Sequence, residues 1–79
     1  MNNWVYVVQC KYGTYYTGWT NDLVKRITAH NNGTGAKYLR GKGPIKLVYQ
    51  KKYKTVKEAQ SQERVIKKLT RKQKENLIK

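Results

Sequence analysis

The sequence predicts an α+β fold: a small three-stranded antiparallel sheet flanked by helices, in the order β-β-α-β-α-α. Three observations carry this expectation. Two β-branched and aromatic runs, parted by a short turn with one glycine, open the chain as a hairpin does. Capping signals then precede stretches whose apolar residues recur at helical spacing. Finally, 79 residues that are 38% apolar can build one small core, so a single domain over residues 1–79 is expected.

The run Trp4 to Cys10 reads as the first strand, Lys11 to Thr14 with Gly13 as the turn, and Tyr15 to Thr20 as the second strand. Asn21 is the expected N-cap of a helix in which Leu23, Val24 and Ile27 continue at helical spacing. Asn31-Asn32-Gly33 supplies its stop. Thr34 to Pro44 is a glycine-rich loop carrying Lys37, Arg40 and Lys42, and Ile45 to Tyr49 reads as the third strand. Thr55-Val56-Lys57-Glu58 is a capping box opening a helix that reaches Leu69. A second box, Thr70-Arg71-Lys72-Gln73, starts a third helix that runs to the terminus.

Lysine and arginine total 18 against 4 acidic residues, a formal charge of +14. Such a charge calls for a densely anionic partner, and nucleic acid fits because neutralising phosphates releases counterions. A membrane surface fits less well, since the basic residues run through loops, strands and helices instead of gathering on one amphipathic helix. The longest apolar run, Trp4 to Val8, is too short to span a bilayer or to form a signal peptide. The lone Cys10 offers no disulfide, so a reducing, cytoplasmic setting is expected and Cys10 itself reads as core. The glycine loop is not a Walker motif: five residues separate Gly35 from Gly41 where four are needed, and Gly43 stands where Ser or Thr would bind magnesium. Its basic residues Lys37, Arg40 and Lys42 read as phosphate-backbone contacts or as a solvated loop.

Helical projection picks out polar residues in apolar places. Val56, Ala59 and Ile66 share one side of the second helix, and Glu63 falls inside their arc. A carboxylate turned toward a sheet needs a cation: either a structural ion pair or a divalent metal used in phosphate chemistry. In the first helix His30, the only histidine, projects between Leu23 and Arg26. Arg26 and His30, four residues apart, are neighbours, and a phosphate would suit both. Tyr6 and Tyr16 stand on consecutive strands, where paired residues can share a sheet face.

These residues resemble a known family. The hairpin Trp4-Val5-Tyr6-Val7-Val8 and Tyr15-Tyr16-Thr17-Gly18, with the helix Asn21 to Asn31, is similar to the GIY-YIG nuclease domain. Gly35-Ala36-Lys37-Tyr38 and Lys67-Lys68-Leu69-Thr70-Arg71 resemble its small, single-domain bacterial subgroup, often described as excision-nuclease-like. The resemblance implies that Tyr6 and Tyr16 are the motif tyrosines and Gly18 the motif glycine. It implies further that Arg26 stabilises the phosphate in the transition state, that His30 lies near the attacking water, and that Glu63 holds one divalent ion, Mg²⁺ or Mn²⁺. The activity so implied is endonucleolytic hydrolysis of DNA, structure-selective and serving repair or recombination, with Tyr6 or His30 as the base. The alternative is a basic module that binds DNA or RNA without turnover, or a subunit whose protein partner supplies substrate recognition. Trp4 and Val5 replace the glycine and isoleucine of the first motif, and Thr17 the isoleucine of the second. An asparagine that many members carry beyond the glutamate has Asn76 as its candidate here.

Overall fold

The computed structural model describes residues 2–33 and 43–78. Strands β1 (Asn3–Gln9) and β2 (Tyr15–Thr20) lead into helix α1 (Leu23–Asn31), and strand β3 (Lys46–Tyr53) into helices α2 (Val56–Lys67) and α3 (Arg71–Ile78). The strands form one antiparallel sheet in the order β2-β1-β3, which gives the expected α+β fold and element order.

Alternation along β1 divides the sheet into two faces. Val5 and Val7 pack with Ala59 and Ile66 of α2, joined by Trp19, Val48, Tyr49 and residues of α3. Tyr6 and Val8 point the other way and pack with Cys10 and Ile45, against Tyr16, Leu23, Ile27 and Leu47. Thus α1 lies on one face and α2 with α3 on the other, while β2 is an edge strand that both sides can reach. Cys10 is buried in the α1-side cluster, as its isolation predicts.

Local chemistry fixes the helix ends. Thr70 and Gln73 bond each other reciprocally, so the second capping box forms, whereas at the first Thr55 accepts from the Glu58 N–H at 3.1 Å and its hydroxyl, in place of its backbone N–H, donates to the Glu58 carboxylate. The first helix departs from expectation: Asp22, not Asn21, is its N-cap, with Oδ1 accepting from the Lys25 N–H at 3.1 Å. The buried Thr20 sets this register, because its hydroxyl accepts from the Asp22 N–H and ties the strand end to the helix start. At the other end Gly33 takes a left-handed φ of 77°, which a side chain would resist. Asn31 then accepts from the Ile45 N–H at 2.8 Å, holding β3's approach against α1.

Two further expectations are corrected. The third strand continues past Tyr49 to Tyr53, because Gln50, Lys51 and Lys52 pair with β1 through their backbones while their side chains stay exposed. A bulge between Val7 and Val8 shifts the register, so both Val48 and Tyr49 join the α2-side cluster. Val56 is 43% exposed: it stands at the first residue of α2, and the buried stripe begins at Ala59. Among the described residues no helix is long and apolar enough to cross a membrane.

Candidate active site

Tyr6, at the centre of β1, pairs with Gly18 of the edge strand. A Cβ on Gly18 would lie 2.6 Å from the Tyr6 hydroxyl, so the absence of a side chain there lets the phenol lie across β2. The phenol meets His30 of α1 at 2.9 Å from Nε2, with both residues buried. Tyr16 completes the group, its ring edge-on to the imidazole at 5.8 Å between centroids.

Burial sets the protonation of this group. It pushes the Tyr6 phenol well above its ordinary value, aided by Tyr16 and Glu63 and opposed by Arg26. Burial also holds His30 below its ordinary value of 6.5, and the Arg26 charge adds to the effect. At neutral pH the phenol therefore keeps its proton and the imidazole is neutral; in the tautomer that carries its proton on Nδ1, the O–H donates to Nε2. Arg26 does not overcome burial, and an ionised Tyr6 is not the resting state.

Tyr6, Tyr16 and Gly18 line a cleft of about 400 Å³ together with Arg26 and Glu63. Arg26 enters from α1 and Glu63 from α2, so helices on opposite faces converge at the open edge of β2. Glu63 is the one acidic residue of that lining. Its carboxylate also meets Lys67 at 3.6 Å, one turn along the helix, with side chains 17% and 51% exposed. The ion pair that the sequence allowed is therefore present, but at that distance and exposure it is a weak surface contact. It leaves a shielded carboxylate beside the phenols.

All five polar positions singled out in the sequence thus gather around one cleft, with His30 behind Tyr6. Sequence reasoning missed Trp19, Thr20 and Asn21, which complete the lining. The signal for Asn21 was the following Asp22: once Asp22 caps the helix, Asn21 is left exposed at the cleft mouth. Asn76 is exposed on α3 and takes no part in the lining. Lys37, Arg40 and Lys42 lie outside the described residues.

A hairpin tyrosine pair, a helix arginine and a glutamate from the opposite face thus meet at one edge of a small α+β domain. The family model described as the GIY-YIG catalytic domain matches residues 2–76, and the chain belongs to that family. Within it, the chain is similar to the UPF0213 proteins. It is 62% identical over 76 residues to one from Clostridium perfringens, covering 96% of this chain and 82% of that one. It is 47% identical over 77 residues to UPF0213 protein YazA of Bacillus subtilis, covering 98% and 78%. The solution NMR structure of a UPF0213 protein from Bacillus halodurans superposes with a TM-score of 0.65 at 45% identity, covering 99% of this chain and 83% of that one.

Proposed function

We propose that this chain is a single-domain cytoplasmic endonuclease that hydrolyses DNA phosphodiester bonds, selecting by structure as repair or recombination requires. The convergence of the Tyr6–His30 hydrogen bond, Arg26 and Glu63 on one cleft carries this reading. The donor set fits a divalent ion of the Mg²⁺ or Mn²⁺ kind. Glu63 is the one carboxylate of the cleft lining, so it would be the protein's carboxylate ligand there. Mg²⁺ accepts such a site because it keeps several waters and shares phosphate oxygens. When bound it would supply Lewis-acid stabilisation of charge on the phosphate and leaving oxygen.

The chain's own residues handle the proton. Tyr6 and His30 act as a relay: the phenol oxygen takes a proton from water as its own passes to Nε2, which neutral His30 can accept. The resulting hydroxide attacks phosphorus in line and the P–O bond to the leaving oxygen breaks, its electron pair departing on that oxygen, which takes a proton from solvent, while His30 returns its own proton to solvent through Tyr6. Arg26 offsets the charge that builds on the phosphate oxygens. The relay needs neither an ionised phenol nor an exposed imidazole, which agrees with the burial of both. Tyr16, edge-on to His30, holds the ring in place.

Cleavage of single-stranded, duplex and branched DNA with Mg²⁺ or Mn²⁺, beside Glu63→Ala and Tyr6→Phe, tests this. Both variants are expected to lose on the order of a hundredfold or more in rate while binding is kept. Binding without cutting on every substrate would leave only the basic binding module or the partner-dependent subunit.

A further inference from the structure

The sheet face that bears Tyr6 continues beyond the cleft. Trp4 lies two residues from Tyr6 on the same side of β1, between Thr20 of β2 and Lys52 of β3 in the register. Thr20 lines the cleft, so Trp4 stands one strand spacing, about 4.8 Å, from its wall. The indole is only partly buried and belongs to neither aliphatic cluster. A large ring at this place therefore contributes little to the core. It also stands where the family's first motif has glycine, so the β1 backbone does not require it.

Lys52 lies 6.0 Å from the indole centroid, at the outer limit of a cation–π contact and easily exchanged. Beyond it Asn2, Lys52, Tyr53 and Lys54 line a second cleft of about 410 Å³, with two lysines and no carboxylate in its wall. The order across the sheet is thus nuclease cleft, threonine, indole, lysine and basic cleft, over about two strand spacings. A flat apolar ring flanked by cations that track a phosphate chain is the chemistry that binds single-stranded nucleic acid. A duplex presents phosphates to the lysines but no free base face to the indole.

We infer that Trp4, Lys52 and Lys54 form a binding track for unpaired DNA that leads into the cleft, with a base stacked on Trp4 and the adjoining phosphates on the lysines. This rests on the nuclease reading for its direction and makes a single-stranded segment part of the substrate. Lys52 leaves the ring for a phosphate as the base takes its place.

The test measures binding without divalent metal, so that cleavage does not enter. The probes are a labelled oligothymidine about 15 nucleotides long, an abasic oligomer of the same length, and a duplex. The parent is expected to bind oligothymidine on the order of tenfold more tightly than the abasic oligomer. Trp4→Ala should erase that preference and leave abasic and duplex binding unchanged, while Trp4→Tyr retains it. Lys52→Ala should weaken binding to both oligomers and lower the salt slope by about one. Should Trp4→Ala fail to fold, Trp4→Leu keeps the apolar bulk without the ring and must also lose the preference. A parent that binds the two oligomers equally, or a Trp4→Ala loss as large on the duplex, overturns the track. Loss of cleavage with this pattern intact would count against the nuclease reading alone.

Discussion

On one face of β1, Tyr6 is buried with its hydroxyl bonded to His30; on the other face the adjacent Val7 pairs with Thr17, whose buried hydroxyl has no hydrogen-bond partner among the described residues. Both sites place polar atoms out of water, at opposite energetic standing. A bonded pair recovers most of the desolvation cost, whereas an orphaned hydroxyl leaves it uncompensated at about 1–3 kcal/mol. The polar pair sits at the cleft, where the proposed reaction would use a proton carrier. Thr17 sits against the α2 side, where the family motif has isoleucine and an apolar group would serve packing better. The contrast separates a buried polar group with a bonded partner at the cleft from one whose hydroxyl bonds nothing among the described residues.

The largest expected effect breaks the first side of this comparison. Gly18→Ala forces a methyl against the Tyr6 hydroxyl, so the phenol must leave His30. Denaturation should show a loss of about 1–3 kcal/mol from overpacking, and cleavage should fall well beyond that stability loss. If activity persists at the parental level, the Tyr6–His30 relay is wrong.

Next comes the opposite face, with the opposite sign. Thr17→Val removes the orphaned hydroxyl at almost constant shape and should stabilise the protein by about 1 kcal/mol or more, with cleavage unchanged. A higher melting temperature is the expected readout, and a lower one would show that the hydroxyl has a role in the folded state.

The smallest effect concerns pH. His30 has a folded-state value below its ordinary 6.5, so the unfolded chain takes up the proton first on acidification. Its contribution is present in full above about pH 6.5 and is lost as pH falls toward the folded-state value. Melting temperatures at about pH 7 and about pH 5 should therefore differ less in His30→Gln than in the parent. An equal fall in both would show that His30 does not carry the acid sensitivity.

Much of the architecture could be read in the chain because its signals are local. The N-caps at Thr55 and Thr70, the hairpin runs and the stop at Gly33 each involve residues a few positions apart, and each formed. Where the structure departs from expectation, a contact outside the element's own pattern had intervened. The Thr20 hydroxyl at the strand end moved the cap from Asn21 to Asp22, and backbone pairing with β1 carried β3 to Tyr53. The site was half legible: Glu63 and His30 betrayed themselves as polar residues on apolar arcs, whereas Trp19 and Thr20 look like ordinary strand residues until the sheet edge is seen.

The sequence by itself determined the order of elements, the +14 charge and the polar residues set on inward helix faces. Periodicity, capping and charge are properties of neighbours along the chain. Only the tertiary structure decided that Tyr6 bonds His30, that Gly18 makes room for the phenol, and that helices from opposite faces meet at the edge of β2. Those contacts join residues up to dozens of positions apart, and they depend on strand register and on burial, which also holds the phenol protonated and the imidazole neutral.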